Sequence, residues 1–255
     1  MHGVHYRAGV ANARVISVNT GRTRPADWAG RIRRTAIGKQ PAAGPLAIGR
    51  LGVQGDEQAD TQDHGGAEQA VYAYAREDLD WWVEQLGLEL PNGTFGENLT
   101  TAGLDVSGAL LGETWQVGTA VVQVRSVRIP CGVFAGWMGE QYAAQRGWVK
   151  RFAAAGRPGA YLKVLTEGTA GPGDPVEVLR RPAASVTVAE AMRAYYGDTD
   201  LMRRLLAVKD RDPSWDEIGE TVLAQGDDPP EPPESAGSAG TPLRGAPPPR
   251  RLAAG

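Results

Sequence analysis

The feature that most constrains this chain is the recurrence of short strand-like runs broken by glycine and proline, of which its 255 residues hold 34 and 18. Short alternating runs suit a pleated, half-buried surface, and glycine between them supplies the turns. Arg14 to Val18 reads as a first strand and Leu46 to Val53 as a second. Gln69 to Ala75 reads as a third, with Tyr72 and Tyr74 on one face and Val71 and Ala73 on the other. Thr114 to Val117 and Ala120 to Ile129 predict a hairpin about Gly118-Thr119. Pro130 ends it, because proline has no amide hydrogen to give to a ladder. Ala160 to Leu165 and Val176 to Leu179 complete the set. The expected fold is mainly β: a barrel or sandwich with a few inserted helices.

Two segments break the alternation. In Glu77 to Gly87, residues Leu79, Trp82, Val83 and Leu86 recur at helical spacing, and Gly87 is a stop. Gly139 to Ala155 predicts a second helix, weakened at Gly147 and closed by Gly156. The pattern changes near Ser185. Thr187 with Glu190, and Ser214 with Glu217, each have capping-box spacing, and Leu201, Met202, Leu205 and Leu206 form an apolar stripe between them. The organisation expected is therefore a β domain over residues 1–184, a three-helix appendage over 185–225, and a tail over 226–255. That tail is rich in Pro, Gly, Ala and Ser, has little apolar surface to offset its ordering entropy, and is expected to be disordered.

Composition excludes several classes. A net charge of -3 gives no reason to expect a nucleic-acid partner. With one cysteine, Cys131, neither an intrachain disulfide nor a multi-cysteine zinc site can form. Met1 to Val10 lacks the apolar run of a signal peptide, and no stretch has the length of a membrane span. A reduced, cytoplasmic location with no membrane partner is expected.

Four loops carry reactive residue types. Arg128-Ile129-Pro130-Cys131 places a thiol just past a strand end, where Arg125 and Arg128 would favour the thiolate that binds metals. A buried structural cysteine is the plainer alternative. Gly55-Asp56-Glu57, followed by Asp63-His64-Gly65-Gly66, could aim a carboxylate and an imidazole for proton transfer, or be a capped turn. Gly93 to Thr100 permits close backbone approach to a ligand, or is a structural loop. In Gly156-Arg157-Pro158-Gly159, Arg157 could hold a phosphate bidentately. There is no dinucleotide fingerprint, Walker loop or nucleophile elbow. Trp81-Trp82 reads as helix-face packing.

Taken in order, these motifs resemble the MOSC family, named after the C-terminus of molybdenum-cofactor sulfurase, and its YiiM-like branch with a C-terminal three-helix domain. The residues that carry it are Asn19 to Arg24, Thr35 to Lys39, Gly55 to Asp60, His64-Gly65-Gly66, Tyr72-Ala73-Tyr74, Phe95 to Thr100 and Arg128 to Cys131, within a span of about residues 13 to 223. Family members often have a proline two residues before the arginine of the cysteine motif and Lys-Leu after the cysteine; here Ser126 and Gly132-Val133 stand instead.

The resemblance implies a MOSC-type β-barrel that binds the pyranopterin molybdenum cofactor (molybdopterin), with the Cys131 thiolate as the protein's metal ligand. It makes Arg22, Lys39, Asp56, Gly65, Gly66, Glu97, Asn98, Arg128 and Arg157 candidates for cofactor contacts, and Glu57 and His64 candidates for proton delivery beside Cys131. The activity implied is reduction of N-hydroxylated small molecules. Without a flavin or iron–sulfur signature of its own, the chain would need an external electron donor, a flavodoxin- or ferredoxin-type reductase system. Two other readings remain: a sulfur carrier using a Cys131 persulfide, and a cofactor-free scaffold.

Overall fold

The computed structural model describes residues 13–60 and 65–226. Strand β1 (Arg14–Thr20) is followed by a small arm, in which β2 (Arg24–Pro25) and β3 (Arg34–Thr35) pair across a 3-10 turn at Gly30–Ile32. Next come β4 (Gln40–Pro41) and the hairpin of β5 (Leu46–Gly49) and β6 (Gly52–Val53). Strand β7 (Val71–Ala75) runs directly into α1 (Arg76–Leu86). Strands β8 (Leu99–Ala102), β9 (Thr114–Val117) and β10 (Ala120–Val127) precede α2 (Gly132–Gln141) and α3 (Trp148–Ala155). After β11 (Ala160–Thr166), β12 (Gly168–Ala170) and β13 (Val176–Arg180) come α4 (Val188–Tyr195), α5 (Thr199–Leu206) and α6 (Trp215–Gln225).

The large sheet has the order β13-β9-β10-β11-β7-β8-β1-β4, and β12, β5 and β6 form a smaller one. Only the β7–β8 pairing is parallel, with α1 returning the chain between those two strands. The expected hairpin about Gly118-Thr119 is present, with Ala120 opposite Val117. Helix α1 stops at Gly87, whose left-handed backbone (φ 64°) lets its N–H reach the Val83 carbonyl at 2.9 Å.

Five expectations need correction. The fold is mixed rather than mainly β, with 30% helix and 28% strand among the described residues. No closed barrel forms among the described residues: one bridge, Arg14 to Pro175, touches across the sheet's curl, but no ladder joins its ends. The helix content was underestimated at α2, where Gly132, Gly136 and Gly139 disguise a helix. Burial of Phe134 and Met138, one turn apart, outweighs the weak propensity of those glycines. The single helix expected over 139–155 is two elements, parted where Gly147 adopts φ 69°. Leu46 to Val53 likewise turns back on itself as the β5–β6 hairpin.

The Thr187–Glu190 capping box forms in full. Ser214 makes no side-chain cap; Asp212 takes that part, accepting the Ser214 N–H at 2.9 Å. The three C-terminal helices pack onto the large sheet through Trp215, fully buried, whose Nε1 donates to Ser126 of β10 at 3.0 Å. Residues beyond 226, where a disordered tail was expected, lie outside the described residues.

The core over the cavity described below is aromatic. Tyr74 of β7, Trp82 of α1, Phe134 of α2, and Trp148 and Phe152 of α3 all surround Phe95, mostly edge to face. The cluster ties the sheet to three helices and fixes where α2 begins. Among the described residues, no helix is long and apolar enough to cross a membrane.

Candidate functional site

A cavity of about 440 Å³ opens between the β2–β3 arm, the 56–60 loop, the 96–98 turn and the start of α2. Cys131 lines it from the N-cap position of α2. A thiol there lies at the positive end of the helix dipole, which favours a thiolate, though its side chain makes no cap hydrogen bond. Arg128, three residues earlier, also lines the cavity and is buried. It donates to the Phe95 carbonyl at 2.8 Å, lies 4.5 Å from the Phe134 ring centroid, and acts electrostatically on Cys131. Arg125 does not share this part: it points to Glu68, 2.6 Å away, and Gln123, 3.1 Å away.

The arm over the cavity is clamped to α2. A Cβ added at Gly136 would sit 2.5 Å from the Trp28 ring, and one at Gly38 would sit 2.8 Å from the Trp137 ring. Both glycines are therefore matched to a tryptophan face. Arg24 lies 5.7 Å and 5.4 Å from the two ring centroids and pairs with Glu140. Trp137 donates to the Thr94 carbonyl at 2.8 Å. One helix thus presents Cys131 at its start and holds the cavity's cover along its side.

Of the other candidate residues, Lys39, Asp56, Asn98 and Gly65 also line the cavity. Asp56 receives Lys39 on both oxygens, the Gly21 N–H at 2.7 Å and Asn98 Nδ2 at 2.8 Å. The Asn98 side chain also accepts the Tyr72 N–H at 3.1 Å, tying this cluster to β7. Burial pulls the Lys39 amine below the usual lysine range, with Asp56 and Glu97 opposing. Gly65 has φ 87° and lies against Gln58, so a side chain there would be strained and blocked.

Other expected residues are placed differently. Glu57 lines the cavity at its rim, bound to Arg22 at 2.8 Å and the Thr23 N–H at 2.7 Å. Those donors hold its carboxyl down at about 2, so near neutrality it is ionised and has no proton to give. Arg22 does not line the cavity and is 77% exposed. Glu97 lies behind the wall, fully buried, accepting from Gly93 N, Phe95 N and Thr100 Oγ1; it holds the 93–98 turn in shape. Arg157 stacks on Trp81 and pairs with Asp78, away from the cavity. Gly66 is also outside the lining, and His64 lies outside the described residues.

Several lining residues escaped the sequence reading. Tyr161 of β11 faces Tyr72 of β7 in register, ring centroids 5.3 Å apart. Trp28, Arg31 and Arg34 come from the arm. Strand alternation puts Tyr72 and Tyr74 on one face of β7, but only the β7–β11 pairing shows what Tyr72 meets. Which of the arginines between Arg22 and Lys39 turn toward the cavity is decided by the fold of the arm.

Among the described residues, no three His, Cys, Asp or Glu side chains converge as a metal cage. A metal held here would bring most of its ligands with it. The MOSC domain model matches residues 60–177. The Bacillus subtilis (strain 168) protein YflK is 34% identical over 204 residues, 79% of this chain and 90% of that protein. The chain belongs to the MOSC domain family. Within it, the likeness runs to the YiiM branch. Protein YiiM of Escherichia coli (strain K12) is 32% identical over 188 residues, 71% of this chain and 81% of its own length. The crystal structure of YiiM from Geobacillus stearothermophilus superposes with a TM-score of 0.67 at 28% identity, covering 83% of this chain and all of that one.

Proposed function

We propose that this MOSC protein holds the molybdenum cofactor through Cys131 and reduces N-hydroxylated small molecules, with electrons from an external flavodoxin- or ferredoxin-type protein. The observation that carries the reading is the convergence of the Cys131 thiol, at a helix N-terminus, with buried Arg128 and the Lys39–Asp56 pair on one cavity. The donor set fits: a single soft thiolate suits a metal already held by sulfur, and about 440 Å³ lies within the usual range for cofactor pockets, roughly 300–1,000 Å³.

The cofactor, when bound, supplies the two-electron redox chemistry at the N–O bond. The chain supplies the rest. Cys131 ligates, and Arg128 favours its thiolate form. Lys39 is already neutralised by Asp56 on both carboxylate oxygens, so the cofactor phosphate falls to Arg31 and Arg34 on the arm. Tyr72, Tyr161 and Trp28 give an apolar wall that limits water near the reacting bond.

The test is metal content. The chain purified from a host that makes the cofactor should carry molybdenum at a substantial fraction of one atom per chain and reduce an N-hydroxylated amidine with reduced viologen. Cys131→Ser should fold normally, abolish turnover and alter the metal's electron paramagnetic resonance spectrum. Full activity in that variant would remove Cys131 as ligand. A persulfide on Cys131 without molybdenum would favour sulfur transfer instead.

A further inference from the structure

Cleavage of an N–O bond consumes two protons, and Glu57 is held ionised at the rim. We propose that Lys39 is the proton donor of the cavity, with Asp56 fixing its amine and a second, outer pocket resupplying it. This rests on the reductase reading above.

Three observations carry it. First, both side chains line the cavity and are buried, Lys39 9% and Asp56 7% exposed. Second, the Asp56 carboxylate is over-determined. Gly21 N–H and Asn98 Nδ2 hold it from the residue after β1 and from the 96–98 turn, and the Lys39 ammonium bridges its two oxygens. The amine is therefore held at one place rather than sweeping the cavity on a flexible stem, which is the geometry proton transfer demands. Third, Asp56 also lines a second pocket of about 460 Å³, formed with Gln58 by the β5–β6 hairpin around Gly52 and Leu51. Leu51 is 69% exposed, so this pocket opens to solvent. Asp56 thus lines both the cavity, beside Lys39, and the solvent-open pocket.

The electrostatics point the same way. The charged groups acting on the Lys39 amine are Asp56 and, from the neighbouring turn, Glu97. Both favour the ammonium, yet burial is the larger effect and lowers its affinity for the proton. A lysine tuned downward, closer to the operating pH, is a better donor than an ordinary one.

In the step proposed, the Lys39 ammonium gives a proton to the hydroxyl oxygen as the N–O bond breaks. The reduced flavodoxin- or ferredoxin-type protein supplies the electron pair, the oxygen leaves as water, and the nitrogen takes the second proton from Lys39 once it is recharged. Neutral Lys39 then regains its proton from water in the outer pocket by way of Asp56.

The experiment uses the molybdenum-loaded chain, benzamidoxime as substrate and reduced methyl viologen as donor. Lys39→Arg keeps a permanent charge and the pairing to Asp56 but has no proton to release near neutrality. It should fold and keep its molybdenum, lose kcat by about 10²-fold or more, and change KM by less than about threefold. The alkaline limb of the wild-type kcat profile should vanish in Lys39→Arg. Its midpoint should match the Lys39 amine titration, read by NMR of carbon-13-labelled lysine, and lie below the ordinary value of about 10.4. Asp56→Asn, which removes a group that raises the amine, should move the limb to lower pH even if the arginine variant folds poorly.

Retention of kcat within about threefold in Lys39→Arg, a limb unmoved in Asp56→Asn, or a Lys39 titration at or above the ordinary value each overturns the assignment. A wild type with neither molybdenum nor turnover overturns the reductase reading, and the donor role with it. The two failures are separable, because one appears in the wild type and the other only in the variants and the titration.

Discussion

Phe95→Ala should be among the most damaging substitutions in the chain. The ring is fully buried, with centroid distances of 5.2 Å to Tyr74, 5.5 Å to Phe152, 5.6 Å to Phe134, 6.0 Å to Trp82 and 6.5 Å to Trp148. Deleting a buried phenylalanine ring typically costs about 3–5 kcal/mol, depending on how far the site collapses. Five rigid rings from one strand and three helices cannot close on the void, so the cost should fall at the top, about 4–5 kcal/mol. That corresponds to a fall in melting temperature of roughly 10–20 °C for a chain of this size. Phe95→Leu keeps most of the volume and loses the edge-to-face contacts, so about 1–2 kcal/mol is expected. The backbone at Phe95 should go on receiving Arg128 in the leucine variant, so the cavity wall there should keep its shape. Urea unfolding at 25 °C, monitored by tryptophan fluorescence and circular dichroism, measures both. A cost below about 2 kcal/mol for alanine, or equal costs for the two variants, would refute the claim that this cluster is rigid.

Two further outcomes follow from single groups. Glu57→Gln should change turnover by less than about threefold between pH 6 and 8, since an exposed ion pair is worth little and the carboxyl titrates at about 2. The shift is downward, so whatever the Arg22 pairing adds to stability is present above the unfolded value of about 4.3 and is lost only as pH falls toward about 2; a hundredfold loss of turnover with metal retained would make Glu57 the proton donor instead. Thr187→Ala should cost about 1 kcal/mol and Ser214→Ala only a few tenths, because the first cap is made and the second is not; equal costs by chemical denaturation would show that the caps were misread.

What could be read locally was what local physics decides. Strand alternation located β1, β7, β9, β10 and β11, and helical spacing with a glycine stop located α1. The Thr187 capping box needs only residues three apart, so it was legible in full. Cys131 was legible as a loop position just past a strand and a proline, and the ordered motifs carried the family.

Tertiary structure decided the rest. Gly136 looks like a helix breaker until Trp28, more than a hundred residues earlier, is seen resting on it. Arg157 and Glu97 have the chemistry of site residues, yet Asp78 and Trp81 claim the first, and the amides of a turn claim the second. Lys39 and Asp56 lie in separate loops, and only the closing of the chain around Gly21 and Asn98 makes them one buried pair. Propensity, alternation and capping act over a few residues, and so one sequence states them. Burial, ion pairing and the shape of a cavity are set by which distant segments meet, and that is fixed only when the whole chain has folded.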